Sequence, residues 1–154
     1  MNRAQRRHAE RNERRGKVYT ERVVPLPALL DEFTVFDMPQ TILDQMSHGS
    51  VDSIQGIPVF RDNAGVWTEI APSLSGWIFT WTKLNRDLSL NLNLNPLRTI
   101  CVRLENNMPI TRENINRAIQ CLDECRFAFR RSDRKKIVEI AKTAQIAILM
   151  ETKQ

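Results

Sequence analysis

Arginine side chains crowd the first residues of the chain, and their chemistry suits them to holding phosphate. Each guanidinium presents a planar set of donors that can bind phosphate oxygens in pairs or stack on a base. Within residues 1–17, arginine outnumbers lysine six to one, and only two side chains are acidic. The basic residues of this segment, which we call the arm, are Arg3, Arg6, Arg7, Arg11, Arg14, Arg15 and Lys17.

The arm accounts for all of the excess charge of the protein. The 154-residue chain has a formal net charge of +5, the arm alone carries that amount, and residues 18–154 balance. A short polycation on a neutral body favours a nucleic-acid partner. An acidic groove on another protein and a solvated tail remain alternatives. A membrane-surface helix is disfavoured, because the opposite face of the arm has no large apolar side chain to insert.

The arm resembles a known RNA-binding peptide. The run Ala4-Gln5-Arg6-Arg7-His8-Ala9-Glu10-Arg11, continued by Glu13-Arg14-Arg15, is similar to the arginine-rich motif of lambdoid phage antiterminators of the N type. In that family a bent helix grips an RNA hairpin through its phosphates, and an aromatic residue stacks on the loop. The resemblance implies that RNA would be held by Arg6, Arg7, Arg11, Arg14 and Arg15.

The aromatic residue in the matching place is Tyr19, but Gly16 would end the helix before it. The family is also short and disordered beyond its motif, whereas the rest of this chain is predicted to fold. That remainder looks like small proteins of phages and plasmids. The resemblance covers about a tenth of the chain, so it bears on the arm alone.

A second basic cluster falls where two helices are predicted to meet. Basic side chains in the last turn of a helix are favourable near its negative dipole end, which accounts for Arg130 and Arg131. Positive charge at the start of the next helix is unfavourable, and this placement indicates a polyanion or an acidic partner, with a solvated corner as the alternative. The cluster is Arg126, Arg130, Arg131, Arg134, Lys135 and Lys136. All of these except Arg126 join the arm as candidate nucleic-acid-binding residues.

No set of catalytic or metal-binding residues is recognisable. His8 lies in the arm and His48 precedes a glycine that ends a predicted helix, so neither has a positioned acid or nucleophile. Glycine-rich phosphate loops are absent. Cys121 and Cys125 share a helix face without a Cys-x-x-Cys spacing, so we expect them to pack in the core, as Cys101 does. We therefore expect no enzymatic activity, no metal and no cofactor.

Composition favours a cytoplasmic protein. The longest charge-free apolar stretch, residues 70–82, contains Pro72 and Gly76 and is too short to cross a bilayer. Glu21 and Arg22 interrupt the segment that would form the core of an export signal. An odd number of cysteines without a disulfide spacing is typical of a reducing compartment.

The elements that must position these residues are mostly helical. A turn at residues 62–65 between short apolar runs predicts a hairpin. Residues 88–95 alternate leucine with serine or asparagine, a period typical of a half-buried strand, although asparagine disfavours strands. Caps are predicted at Ser73, Asn95 and Thr111, and at Ser132 or Asp133. Spacing of apolar residues by three and four predicts helices over residues 39–47, 74–88, 96–104, 112–131 and 134–148.

Aromatic residues are the other unusual feature, because tryptophan and phenylalanine are enriched at recognition sites. Trp77 and Trp81 lie one turn apart on the apolar stripe of their helix, so core packing is the expected role for both. Phe79 lies off that stripe and is a candidate contact residue if it is exposed. Trp67 falls within the predicted hairpin.

These patterns predict a mainly α protein with one small β-hairpin, a compact helical domain that ends in an antiparallel helix pair. We expect a basic arm over residues 1–17, a proline-containing linker over 18–27 and a single domain over 28–154. The leading hypothesis is a nucleic-acid-binding accessory or regulatory protein of a phage or mobile element, with RNA ahead of DNA. Its body would contact protein or self-associate. The alternative is a phage structural, assembly or inhibitor protein whose arm docks on an acidic protein.

Overall fold

The computed structural model of the protein describes residues 3–5 and 31–152. The chain divides into two compact units, Met1–Asp31 and Glu32–Gln154. In the first unit, residues 3–5 are helical and exposed. The rest of the arm and the predicted linker lie outside the described residues, and so do the predicted boundaries after residues 17 and 27.

The second unit is mainly helical with one small sheet, so the predicted fold class is confirmed. Its described residues form five helices and three strands. In chain order they are α1 Glu32–Ser47, β1 Asp52–Ile54, β2 Ile57–Arg61, β3 Trp67–Glu69, α2 Ile70–Asp87, α3 Asn95–Glu105, α4 Arg112–Arg131 and α5 Arg134–Thr152.

The sheet is antiparallel with the strand order β1-β2-β3. The predicted hairpin is β2 and β3, with Val59 opposite Glu69. Its turn is closed by Asp62, whose Oδ1 accepts hydrogen bonds from Ala64 N and Val66 N at 2.9 Å each. Strand β1 pairs with β2 and was not predicted, because its three residues include a single apolar side chain and show no alternation.

Helix α1 begins seven residues before its predicted start at Pro39. Proline lacks a backbone N–H and is best tolerated in the first turn of a helix, which is why the sequence predicts a start there. The structure places Pro39 inside the helix instead. Phe36 on one side of the proline and Ile42 and Leu43 on the other are all buried. Burial of this continuous apolar face outweighs the local preference of proline.

The predicted helix starts have different outcomes at α2 and α4. Helix α2 begins at Ile70 and not at Ser73, whose hydroxyl donates back to Glu69 O at 2.8 Å and caps nothing. Helix α4 begins as predicted, since the Thr111 side chain accepts from Asn114 N and the Asn114 side chain accepts from Thr111 N. This reciprocal capping box satisfies two donors that a helix start leaves unpaired.

Residues 88–94 form a loop and not the strand that their alternation predicts. Asn85 supplies the hydrogen bonds that a partner strand would supply: its Nδ2 donates to Leu92 O at 2.9 Å, and its Oδ1 accepts from Leu92 N at 2.8 Å. Ser89 and Asn91 adopt left-handed φ angles of 51° and 57°, which end any regular strand. The alternation instead determines which side chains of the loop contact the core. Those side chains are Leu88, Leu90, Leu92 and Leu94.

Just beyond this loop, α3 begins at Asn95, which was predicted to be its cap. The capping oxygen belongs to Asn93, whose Oδ1 accepts from Asn95 N at 3.1 Å. Pro96 lies in the first turn of the helix, where its missing N–H costs nothing.

Aromatic rings from three helices meet at the centre of the core. The centroid of the buried Phe36 ring lies 5.7 Å from that of Trp77, 5.4 Å from that of Trp81 and 5.7 Å from that of Phe129. The two tryptophan rings stack at 5.1 Å, and Trp77 Nε1 donates to Val35 O at 2.9 Å. The predicted core role of Trp77 and Trp81 is confirmed. Each such ring pair adds about 0.5–1.5 kcal/mol beyond the burial of area.

The last two helices differ from the expectation in how they pack. The short connection at residues 132–133 predicts that α4 and α5 lie against each other as antiparallel neighbours. In the structure α4 packs mainly on α1 and α3, whereas α5 packs mainly on α2. The apolar stripe of α4 is already covered by α1 and α3, so the stripe of α5, with Ile137, Ala141 and Ala144 buried, finds its partner on α2.

Two phenylalanines on α4 test this packing. Phe129 is 1% exposed at the centre of the core, whereas Phe127 is 58% exposed. Phe129→Ala should lower the free energy of unfolding by about 3–5 kcal/mol, because it leaves a cavity. Phe127→Ala, the same change two residues away, should lower it by less than about 1 kcal/mol. Urea unfolding followed by circular dichroism measures both, and equal losses would contradict the placement of Phe129.

Candidate nucleic-acid interface

The turn between α4 and α5 is held by hydrogen bonds on both sides. Ser132 Oγ donates to Ala128 O at 2.7 Å, which joins the turn to the end of α4. Asp133 Oδ1 accepts from Lys135 N at 2.9 Å and caps α5, so the second of the two predicted caps is confirmed. The basic side chains of this region therefore project from a fixed backbone.

Two arginines of the predicted cluster join α4 to α1. The Arg130 guanidinium makes two hydrogen bonds to Glu32, with Nε to Oε2 at 2.8 Å and Nη2 to Oε1 at 2.6 Å. Arg126 hydrogen-bonds Gln40, and its guanidinium carbon lies 5.3 Å from the centre of the Phe36 ring. Arg130 is one of the residues predicted to bind nucleic acid; the structure gives it a carboxylate partner within the fold and leaves its side chain 62% exposed. This ion pair links the two helices.

The pKa values of this pair shift in opposite directions. Hydrogen bonds from Arg130 hold the pKa of Glu32 below its ordinary value, aided by the positive charges of Arg130, Arg126 and Arg134, although desolvation partly opposes them. The same hydrogen bonds raise the pKa of Arg130. Both groups are therefore charged at neutral pH.

The other four basic residues of the cluster are exposed, as Arg130 is, and we call these four the cationic corner. They are Arg131, Arg134, Lys135 and Lys136. The Arg131 guanidinium lies 5.2 Å from the centre of the Phe127 ring, and that of Arg134 lies 4.6 Å from the centre of Phe129. Within the described part of the chain, neither lysine ammonium has an ion-pair partner. Four positive charges thus face water from six consecutive residues, with Asp133 among them.

A groove of about 890 Å³ lies beside the cationic corner, between α4 and the loop of residues 88–92. The side of the groove that α4 supplies includes Gln120, Glu124, Phe127 and Arg131, and Lys136 of α5 lies at its end. Sequence reasoning missed Phe127. Phe127 lies off the apolar stripe of α4, which ends at Phe129. The same kind of position singled out Phe79 as a candidate contact residue.

The other aromatic candidates have separate positions. Phe79 is half-buried on α2, and Lys83 Nζ lies 5.4 Å from its ring centre. Trp67 on β3 is 40% exposed, and the Arg61 guanidinium carbon lies 5.6 Å from its ring centre. Phe127 is therefore the exposed ring that lies next to the cationic corner.

Of the basic residues of the arm, Arg3 alone falls within the described residues, where it is helical and exposed. The remaining candidates lie outside the described residues, and so does the predicted stacking residue Tyr19. Those candidates are Arg6, Arg7, Arg11, Arg14, Arg15 and Lys17.

The three cysteines are buried, as expected of packing residues. The hydrogen bond with Cys121 and burial raise the pKa of Cys125, so it is a neutral thiol at physiological pH. Cys121 Sγ donates to Asn93 O at 3.3 Å and ties α4 to the loop before α3. Among residues 3–5 and 31–152, no group of three histidine, cysteine, aspartate or glutamate side chains is placed to hold a metal ion.

Comparisons with known proteins indicate no function for this chain. No protein-family model, no curated protein and no solved structure matches it. None of the helices in the described residues combines the length and apolar character needed to span a membrane.

The pair of Glu32 and Arg130 predicts how stability depends on pH. Because the pKa of Glu32 is lowered in the folded state, its contribution to stability is complete above the pKa of the unfolded chain. That contribution is lost as the pH falls through the folded-state pKa. The wild type should therefore be more stable than Glu32→Gln at neutral pH, and urea unfolding should show the difference disappearing in acid.

Carbon-13 NMR titration of the Glu32 carboxyl checks the cause of the shift. Arg130→Gln should raise the pKa of Glu32 towards the usual range. Arg117→Gln, which breaks the exposed pair with Glu113 on the same helix, should leave the titration of Glu32 unchanged. A wild-type Glu32 that titrates like an ordinary exposed glutamate would refute the described ion pair.

Proposed function

We propose that this protein is a non-enzymatic nucleic-acid-binding accessory protein of a phage or other mobile element, with RNA preferred over DNA. The observation that carries the proposal is the cationic corner. Its four exposed positive charges project from a turn fixed by hydrogen bonds, beside an exposed aromatic ring. Phosphate contacts from the arm and the corner would supply most of the affinity.

The position of the corner on the helices supports a polyanionic partner. The first turn of α5 contains Arg134, Lys135 and Lys136 and no acidic residue. Positive charge is unfavourable there by a few tenths of a kcal/mol per residue, because the backbone N–H groups of a helix start already carry partial positive charge. A phosphate at this place interacts favourably with both the side chains and the helix start. The stability cost is offset when a polyanion binds.

The arm adds the larger share of the charge. Its arginines can bind phosphates in pairs and stack on bases, and its motif resembles a peptide that binds an RNA hairpin. Seven basic residues would neutralise up to seven phosphates of a bound strand. Each neutralised phosphate of a single strand changes the slope of log K against log salt by about −0.7, so binding is expected to weaken steeply with salt.

Deleting residues 1–17 should abolish detectable binding at physiological salt and flatten the salt dependence that remains. The reason is that the deletion removes the whole excess charge of the chain. Fluorescence anisotropy with a labelled RNA hairpin at several KCl concentrations measures both effects. An unchanged affinity in the truncated protein would rule out the proposed role of the arm.

The cationic corner is tested by a charge-matched pair of variants. Replacing Arg131, Lys135 and Lys136 with glutamine should reduce the steepness of the salt dependence by about two units, since each residue is expected to neutralise one phosphate. The control replaces Arg86, Arg117 and Lys142, which are exposed elsewhere on the same unit, and should have little effect. Equal effects in the two triple variants would show that only total charge matters.

A further inference from the structure

Phe127 is a large apolar ring that the fold leaves in water. It is 58% exposed even though the Arg131 guanidinium lies 5.2 Å from its centre. Helix α4 is anchored beneath it by the buried Phe129, so the ring is presented from a rigid support. Gln120, Glu124, Phe127 and Arg131 follow one another at intervals of four, three and four residues, which places them along one face of the helix. That face lines the groove of about 890 Å³.

We propose that this groove binds an unpaired base of a single-stranded nucleic acid. The base stacks on Phe127, the adjoining phosphates contact Arg131 and Lys136, and the edge of the base is directed towards Glu124. This inference rests on the proposed function and specifies which form of nucleic acid the second unit takes.

The size and polarity of the groove fit a nucleotide. Small-ligand sites occupy about 300–1,000 Å³ and combine an apolar surface with a few polar groups. Here the apolar surface is Phe127 together with three leucines of the loop, and the polar groups include two amides, three carboxylates and two cations. Stacking on an aromatic side chain is open to every base, because each base has a π-face. A base paired within a duplex does not expose that face.

The groove is also formed before a ligand arrives. Its second wall is the loop in which Ser89 and Asn91 hold left-handed φ angles. Such conformations persist in residues other than glycine when the surrounding structure enforces them. The two hydrogen bonds between Asn85 and Leu92 supply that enforcement. A pre-formed wall lowers the entropy lost on binding.

Charge sets the direction of the bound strand. Asp123 is paired with Arg126, and Asp133 caps α5, which leaves Glu124 as the groove carboxylate with neither an ion pair nor a side-chain hydrogen bond among the described residues. A carboxylate repels phosphate and accepts hydrogen bonds from amino groups on base edges. Glu124 and Arg131 are about 10 Å apart along the helix axis, on opposite sides of the ring. The base edge therefore faces Glu124, and the phosphate faces Arg131.

Stacking is tested by comparing a single strand with a duplex. The full-length protein is titrated into a labelled 12-nucleotide oligo(C) RNA and into a blunt 12-base-pair RNA duplex, a probe length close to the roughly 4–16 nucleotides of a single-strand site. Phe127→Ala should weaken binding to the single strand by about 5–100-fold and binding to the duplex by less than about twofold. Phe127→Trp should retain single-strand affinity. The control Phe33→Ala, at a ring 75% exposed on α1, should change neither.

Base recognition is tested through Glu124. The wild type should bind oligo(C), whose bases carry an amino group, more tightly than oligo(U), whose bases carry none. Glu124→Ala removes a negative charge and so raises both affinities. The ratio of the two affinities cancels that gain, and it should fall towards one in the variant because alanine offers no acceptor to the amino group.

The outcomes separate the two proposals. If the wild-type protein binds neither these probes nor the labelled RNA hairpin, the proposed function fails and this inference fails with it. If it binds the hairpin but neither probe, the base site is refuted and the proposed function stands. If the protein binds both probes and Phe127→Ala weakens neither, or weakens both equally, the base site is refuted and the proposed function stands. A loss confined to the single strand, with retention in Phe127→Trp, supports the base site.

Discussion

The contact on which the structure depends is the buried ring of Phe36 against its aromatic neighbours. It touches Trp77 and Trp81 of α2 and Phe129 of α4, and so joins three helices that are far apart in the sequence. The same ring lies beneath the guanidinium of Arg126 on α4. Because protein interiors are closely packed, these contacts fix the end of α4 to within a narrow range of positions. The cationic corner begins at the end of α4, so its position is set by these contacts.

A body with balanced total charge can still present a strongly positive surface. Arg126 and Arg130 are held by groups on α1, and the ion pair gives the exposed Arg130 guanidinium a carboxylate partner within the fold. The side chains of the cationic corner are also exposed, and two of them, Lys135 and Lys136, have no ion-pair partner among the described residues. Local geometry, and not net charge, therefore decides which cations are available to a partner.

Much of the fold was predictable because local patterns agree with it. The capping box at Thr111 and the apolar stripe of α4 indicate that helix correctly, and the turn at residues 62–65 indicates the hairpin. The start of α1 was not predictable from local rules, because distant burial overrides the preference of Pro39. The loop of residues 88–94 was mistaken for a strand, because the sequence does not reveal that Asn85 supplies its hydrogen bonds.

The candidate site was predictable only where it depends on local sequence. The charges of the cationic corner are visible in the sequence, but the pairing of Arg130 with a residue 98 positions away is not. The groove is formed by two segments that meet only in the fold, so the significance of Phe127 depends on the structure.

The central claim is that the cationic corner and its groove form the surface at which the second unit contacts nucleic acid. Proton–nitrogen correlation NMR of the labelled full-length protein during titration with a single-stranded oligonucleotide tests it directly. We expect chemical-shift changes to concentrate in residues 88–92 and 124–136 and to be absent from the sheet at residues 52–69. Changes centred on the sheet, or spread evenly over the second unit, would contradict the claim.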